Sequence, residues 1–472
     1  MKVMKFGGTS VGDAERIRQL TQIVAAERSR DREIVVVVSA MSGVTNLLLE
    51  SARRAAGGDM ATAVKNHAAL LERHQAAIAR LLARAEDRAR LEAEIGGLLE
   101  NVSKLCYGVG ILGEVPPRAL DSIAGAGERL SARIVAAALR EADVAAQAFD
   151  ADALVVTDDA FGEATPDPEA TREKSRAALL PAIHDGTTPV VTGFIGATPQ
   201  GVTTTLGRGG SDYSGGILGA ALDADEVIIW TDADGFMTAD PNVAPDAQTI
   251  PEISYGEAAE LSYYGAKVLH PKTLLPLIPR NIPLFIKNSF RPAAPGTRVS
   301  AKTGVWRRDI KSVTSIKGVA LITVAGSGMM GVTGIAGKTF SAVAAQGSNV
   351  LMISQSSSEN NLCLIVDAAE AERTRVALRK ALEVEFHHRR VERIDVRDRI
   401  AIIAAVGEEM HGRPGVAARV FGAVAECGVN VVAIAQGSSE LNISFVVDEA
   451  DAPRAVAAIH GRFELGDAHG VS

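Results

Sequence analysis

The chain is poor in aromatic residues, which make up 4% of its 472 positions, and it holds only three cysteines. It has no long lysine or arginine run, its net charge is −8, and its pI is about 5.7. Without a basic footprint or a stacking surface, no nucleic-acid partner is expected. Cys106, Cys363 and Cys427 lie far apart with no CxxC spacing, so reduced, buried thiols are expected rather than disulfides or a zinc site. No run of about 18 apolar residues occurs, and "MKVMKFGGTS" turns to glycine after one short apolar stretch. Neither a membrane span nor a signal peptide is therefore expected, and the cytoplasm is the default location. What the chain does have is 47% hydrophobic and 22% charged residues with mean hydropathy +0.13, the composition of a folded protein with a sizeable core. Its length suits about three domains.

From the N-terminus to about Gln355, β-branched runs such as "EIVVVVSAM", "TPVVTGFIG" and "DEVIIWTD" alternate with Ala/Leu/Arg stretches of helical spacing. This is the pattern of a mainly parallel α/β sheet with both faces covered. Residues 50–109 are rich in Ala, Leu, Glu and Arg but lack sustained heptads, so a helical excursion beside the sheet is expected rather than a coiled coil. Breaks at "FRPAAPGTRVS" set the expected end of a first domain, 1–295, followed by a linker, 296–315.

Beyond that point the chain repeats itself. Residues 320–367 align without a gap on 401–448, an offset of 81, with 22 of 48 paired positions identical. Each copy reads strand, loop, helix, strand, a polar phrase ("ISQSSSENN" or "IAQGSSELN"), and another strand. A βαββ order with a further helix predicts two ferredoxin-like α+β units, 316–393 and 394–472, with exchange of strands between them allowed.

Four short motifs compete for attention. "GVGILG" and "GSGMMG" both spell G-x-G-x-x-G, yet the second is answered in the other copy by "GEEMHG", and no acid follows at the distance a ribose requires. "VTGIAGKT" has Val332 where a Walker loop needs glycine, and "DADG" is followed at its twelfth position by Val243 instead of glutamate, which fails the calcium-loop pattern.

The remaining motifs carry chemistry. In "KFGGTSV", Lys5 ends a strand and Gly7, Gly8 and Thr9 form the turn, a place where backbone N–H groups can approach phosphate oxygens beside a positive charge. The plainer reading is a tight turn with a surface lysine. In "TTLGRGGSDYS", glycines bracket Arg208, a bidentate fork for a carboxylate, and Asp212 opens a helix where it can hold an ammonium or a metal-bound water, or simply cap. Together they suit an amino-acid substrate. Glu128 in "GERLSAR" is a second ammonium partner or an acid favoured by the helix dipole. Thr231 and Asp232 follow the strand "DEVII", at the end of the sheet where ligands bind, and "YYGAKVLHP" offers Lys267. Two lysines, glycine-rich strand ends and scattered acids match the needs of phosphoryl transfer. His270 reads as structural, since no second metal-ligating residue stands at ligand spacing, and no protein metal site is expected.

Taken in order, "KFGGTSV", "GERLSAR", "TGFIG", "TTLGRGGSDYS", "WTDADG" and "YYGAKVLHP" resemble the aspartate kinases of the amino-acid-kinase superfamily, over nearly the whole chain. The resemblance implies a three-layer sandwich with two C-terminal ACT-type regulatory units. It implies phosphorylation of the side-chain carboxylate of L-aspartate by ATP, with magnesium held mainly by the nucleotide, at the start of lysine, threonine and methionine synthesis. On this resemblance Lys5, Gly7, Gly8, Thr9 and Lys267 meet phosphates. Ser39, Thr45, Glu128, Arg208 and Asp212 bind aspartate, and Thr231 and Asp232 meet adenosine. Met237 and Asn242 depart from the aromatic and arginine common at those nucleotide positions. No residues follow Ser472 here for a homoserine dehydrogenase domain, so a monofunctional enzyme is expected. The alternatives are a kinase of another carboxylate, such as glutamate, and a catalytically silent amino-acid sensor.

In the repeats, Gln355 and Gln436 occupy equivalent places, and a buried glutamine can donate and accept at once. With Asn349 and Asn430 they are the candidate effector contacts. The phrases resemble those of threonine-responsive relatives, making threonine the first expected effector; lysine is the second, with Glu408 and Glu409 available to its ammonium. The plainer alternative is a polar edge strand that resists aggregation. A homodimer or homotetramer through the ACT-type units is expected.

Overall fold

The computed structural model describes residues 1–467 apart from positions 32, 266, 267, 305, 307 and 438. The chain divides into two compact units: one of Met1–Phe236, Pro251–Tyr255 and Lys267–Thr303, the other of Met237–Ile250, Gly256–Ala266 and Gly304–Ser472.

The first unit is built on an eight-stranded sheet. In chain order its strands are β1 (Lys2–Phe6), β2 (Ile34–Val38), β3 (Ala146–Phe149), β4 (Thr188–Thr192), β7 (Glu226–Thr231), β8 (Glu252–Ser254), β9 (Leu284–Asn288) and β10 (Thr297–Ser300); β5 (Ile195–Ala197) and β6 (Thr203–Thr205) form a separate antiparallel pair. The spatial order is β3-β4-β2-β1-β7-β9-β10-β8, parallel throughout except between β9 and β10. All five residues of β2, Ile-Val-Val-Val-Val, are buried, as a central strand covered on both faces requires. Flanking helices are α1 (Ala14–Arg28), α5 (Pro117–Ala124), α6 (Ala126–Glu141), α7 (Pro168–His184) and α8 (Gly210–Ala221). Asp13 caps α1 by accepting from Arg16 N at 3.0 Å, and Asp167 caps α7 with Pro168 at its first position.

Between β2 and α5 runs the helical excursion, α2 (Val44–Ala56), α3 (Met60–Leu81) and α4 (Ala85–Leu112). Leu48, Leu70, Ile78, Ile95 and Leu99 join these helices to the core under the sheet. "GVGILG" falls on the last turns of α4 and its C-terminal glycine, so it forms no strand-to-helix loop.

The second unit contains α9 (Tyr255–Tyr263, from Gly256 onward), strands β11 (Ser312–Ala325), β12 (Met352–Gln355), β13 (Asn361–Asp367), β14 (Arg393–Val406), β15 (Ala433–Ala435) and β16 (Asn442–Asp448), and helices α10 (Ile335–Ala345), α11 (Ala371–Ala381), α12 (Glu383–His387), α13 (Val416–Glu426) and α14 (Ala452–Arg462). The strands form one antiparallel sheet in the order β12-β13-β11-β14-β16-β15. Helices α10 and α13 keep the offset of 81 residue for residue, as do β13 and β16.

Two long central strands tie the copies together. Of the residues of β11, β13 pairs with Val319–Ala325, and of those of β14, β16 pairs with Ile400–Val406. The remaining half of each long strand pairs with the other copy: Ser312–Ile316 lies against Ile402–Val406, and Leu321–Ala325 against Arg393–Arg397. The halves are divided by register shifts near Gly318, whose φ is +72°, and the equivalent Arg399 also takes a left-handed φ of +56°. Each copy thus completes its sheet with a half-strand of the other. The stretch expected to be a linker, 296–315, is a correction in this respect: it contains β10, paired on both sides with β9 and β8, and the start of β11, the first strand of the other sheet in chain order.

Candidate active site

In the first unit the strand order runs outward in both directions from β1, with β2 on one side and β7 on the other. Such a switch point opens a crevice at the carboxyl ends of the strands. A cleft of about 570 Å³ lies there. Its walls come from five segments: Lys5, Gly7, Gly8 and Thr9 after β1; Ser39 and Thr45 with the turn after β2; Glu128 in the first turn of α6; Arg208 to Asp212 leading into α8; and Thr231 and Asp232 after β7. Eleven residues expected from the sequence therefore meet in one cavity. Lys267 lies outside the described residues. Met237 and Asn242 belong to the second unit, where Met237 Sδ accepts from Thr249 Oγ1 at 3.4 Å and Asn242 turns back on Asp240 at 2.9 Å.

Lys5 is 6% exposed and forms an ion pair with Asp212, linking the end of β1 to the first turn of α8. Glycine makes this approach feasible, since a Cβ on Gly215 would stand 3.2 Å from Lys5 Cβ. Arg208 is exposed on its loop and makes no ion pair among the described residues, which leaves its guanidinium directed to solvent or a ligand. Gly209 has φ +72°, and a Cβ there would lie 2.4 Å from His270 Cβ, so only glycine passes between them. His270 Nδ1 also accepts from Lys272 N at 3.3 Å, capping the following turn.

Glu128 is the most perturbed group in the cleft. Gly127 packs α6 against the end of β2, where a Cβ would come within 2.7 Å of Ala40 Cβ, and Glu128 Oε1 thereby accepts from Ala40 N at 3.1 Å. Its other oxygen is buried with no hydrogen-bond partner among the described residues. Burial pushes this carboxyl up to about 8, against the opposing pull of the Ala40 N–H and the Lys5 charge. A cation delivered to Oε2 would return it to the ionised form.

Sequence reasoning gave no role to Phe194, which also lines the cleft. Its φ is +68°, unusual for a bulky side chain, and its N–H donates to Ser214 Oγ at 2.9 Å. The signal was present in "TGFIG", an aromatic held between glycines at a strand end.

In the second unit a cavity of about 300 Å³ lies in the first copy, lined by the loop Gly331 to Ala336, Gln355, Glu359 and Leu362. Glu359 Oε2 accepts from Gly331 N at 3.0 Å, and in the second copy Glu440 Oε2 accepts from Gly412 N at 2.7 Å, the same bond 81 residues on. The copies differ beside this bond. Where the first has Val332 and Lys338, the second has Arg413 and Arg419, and both arginines bind Asp309. Glu409 is held by Arg413 at 2.7 Å, and Glu408 is engaged through its N–H, donating to Glu257 at 2.8 Å. The expectation of buried glutamines is corrected: Gln355 and Gln436 are exposed, because β12 and β15 are the two edge strands. Asn349 and Asn430 are exposed in the turns after α10 and α13. Among the described residues no cluster of three His, Cys, Asp or Glu forms a metal site, and no helix is long and apolar enough to cross a membrane.

The model of the amino acid kinase family matches residues 1–288, and the ACT domain model matches 322–382 and 403–463. A bifunctional aspartokinase/homoserine dehydrogenase of Arabidopsis thaliana chloroplasts is 37% identical over 98% of the chain and 50% of its own length. The chain spans about half the length of the bifunctional relatives it matches. Lysine-sensitive aspartokinase 3 of Escherichia coli is 34% identical over 97% of the chain and 98% of its own length. The crystal structure of E. coli aspartokinase III with aspartate and ADP is similar with a TM-score of 0.82, over 98% of this chain and 100% of that one, at 34% identity.

Proposed function

Because the chain belongs to the aspartokinase branch of the amino acid kinase family, we propose that it transfers the γ-phosphoryl group of ATP to the side-chain carboxylate of L-aspartate. The product is 4-phospho-L-aspartate, the entry to lysine, threonine and methionine synthesis. The observation that carries this reading is the convergence, in one cleft, of an outward-facing guanidinium, a buried carboxyl with a vacant oxygen, and a lysine on a glycine turn.

In this reading Arg208 holds the α-carboxylate of aspartate and Glu128 receives its ammonium, with Ser39 and Thr45 at the wall of the same pocket. The side-chain carboxylate oxygen then attacks phosphorus as the bond to the ADP oxygen breaks, and no proton has to move. Lys5 is positioned to offset charge on the migrating group, and its pairing with Asp212 fixes the ammonium in place before substrate arrives. Gly7, Gly8 and Thr9 offer backbone N–H groups to phosphates, Lys267 adds a second cation, and Thr231 and Asp232 face the nucleoside. Asp212 is already paired with Lys5, so magnesium fits best on the nucleotide phosphates, where it neutralises their charge.

The duplicated unit is proposed to bind an end-product amino acid in the cavity of the first copy. Gln355 in its wall favours threonine, the reading drawn from the phrases. Lysine is the second reading, favoured by Glu359 in the same wall and by the similarity to a lysine-sensitive relative. We place the enzyme in the cytoplasm as a homodimer or homotetramer. The exposed Ile353 and Ile434 on the two edge strands support association through the ACT-type copies.

A hydroxamate-trapping assay with ATP, magnesium and either aspartate or glutamate tests the assignment. Turnover of aspartate is expected. Turnover of glutamate alone would replace the substrate, and tight amino-acid binding with no turnover would make the chain a sensor.

A further inference from the structure

Helix α9 presents Glu257, Glu260 and Tyr263 at successive i, i+3 positions, which lie along one face. Every one of them is fastened at the ends of strands of the second sheet or in the segments next to them. Glu257 Oε2 pairs with Lys311 Nζ at 2.8 Å, both side chains buried, while Oε1 accepts from Glu408 N in the loop after β14. Glu260 accepts from Asn442 Nδ2, which closes the second polar phrase and opens β16. The Tyr263 hydroxyl stands 3.0 Å from the Leu351 carbonyl and 3.3 Å from that of Val350, on the run into β12, whose last residue is Gln355. The chain just beyond the helix is held as well: Thr314 Oγ1 donates to Tyr264 O at 3.0 Å.

The covalent path gives these contacts a direction. The segment before Gly256 and the segment from Lys267 onward both belong to the first unit, so α9, a part of the second unit from Gly256 on, is joined at both ends to chain of the first. Tyr263 precedes Lys267 by four residues.

We propose that α9 carries effector occupancy into the chain of the first unit that follows it, and so to nucleotide binding there, with Tyr263 as the coupling residue on the side of the first copy. The inference rests on the regulatory reading above. A ligand seated against Gln355 shifts β12 and the carbonyls leading into it; a hydrogen bond tolerates little stretch, so the last turn of α9 follows. Glu257 and Glu260 fix the other end of the helix to the second copy, making the response a rotation about those anchors. Coupling of this kind is reciprocal: the effector weakens ATP binding by the same factor by which ATP weakens effector binding.

The test is Tyr263→Phe, which removes the hydroxyl and keeps the ring in its edge contact with Tyr264. Tyr263 is 41% exposed, so the variant is expected to fold with kcat and the KM values unchanged in the absence of effector. For wild type and variant, the KM for ATP is measured without and with saturating threonine, then lysine, and binding of each amino acid is measured directly by calorimetry. The expected result is an effector-induced rise in KM of about tenfold or more in wild type that falls to within twofold of unity in Tyr263→Phe, while the amino acid still binds. Glu260→Gln provides an independent second variant, with a partial loss expected. If wild type responds and both variants respond equally, the coupling through α9 is overturned and the regulatory reading stands. If wild type binds neither amino acid, the regulatory reading falls and this inference with it.

Discussion

Ser354 Oγ donates to the main-chain oxygen of Ile434 at 3.0 Å, so the polar phrase of one copy touches the strand that carries the phrase of the other. These strands, β12 and β15, are the opposite ends of a six-stranded sheet. Their meeting makes the proposed effector region a shared feature of both copies, although a cavity with glutamine in its wall is found in the first.

That asymmetry sets the first prediction. Gln355→Ala should raise the inhibitory concentration of the effector by about tenfold, the cost of one hydrogen bond to a charged or polar ligand group, and leave uninhibited activity unchanged. Gln436→Ala should have a smaller effect, since Arg413 and Arg419 of its copy are already occupied by Asp309. Dose-response curves with threonine and lysine check both, and equal effects would require two working sites.

Arg208→Ala should raise the KM for aspartate by about 30- to 100-fold, corresponding to about 2–3 kcal/mol for a charge-assisted bond. The KM for ATP should change by less than about threefold, because the guanidinium holds a carboxylate and touches no phosphate in the proposed complex. Steady-state kinetics with each substrate varied decides this, and an unchanged aspartate KM would remove Arg208 from the role.

Glu128 predicts a proton. With its carboxyl raised from an ordinary 4.5 to about 8, the empty enzyme holds Glu128 protonated at pH 7, and an incoming ammonium ionises it. Aspartate binding at pH 7 should therefore release close to one proton, seen as a dependence of binding heat on the ionisation enthalpy of the buffer, and Glu128→Gln should abolish it. The sign for stability follows from the same shift. Between about 4.5 and 8 the folded state holds a proton that the unfolded chain has lost, so the ligand-free protein loses stability as pH rises through that window. Thermal unfolding of the Gln variant should be flatter over the same range.

Arg399 occupies a left-handed conformation at the place where its equivalent is Gly318. Arg399→Gly should accordingly raise stability by about 0.5–1 kcal/mol, the steric relief exceeding the added freedom of the unfolded chain. A urea titration would show it as a higher midpoint with an unchanged slope.

Much of the cleft was legible because each wall is a local motif. A strand ending in Gly7 and Gly8, or a glycine pair around Arg208, constrains its own backbone whatever surrounds it, and periodicity placed those motifs at strand ends. The protonation of Glu128 was not legible, since it depends on Gly127 meeting Ala40, a contact between segments 87 residues apart in the chain. The repeat exposed the two copies but not the pairing of their halves. Alternation along 312–325 and 393–406 is the same whichever neighbour a strand chooses, so no pattern in the chain distinguishes a self-contained copy from an exchanged one. Gln355 and Gln436 were misjudged as buried for the same reason: a strand at the end of a sheet reads like one inside it.

The half-strands of β11 and β14 have a consequence for heredity. A module that completes itself can be cut out, shuffled or lost by a single recombination event. Here, deletion of either copy would strip an edge from the survivor and bare a row of unpaired amides. The duplicated pair is thus inherited as a dovetail, and variants of one half are selected in the presence of the other.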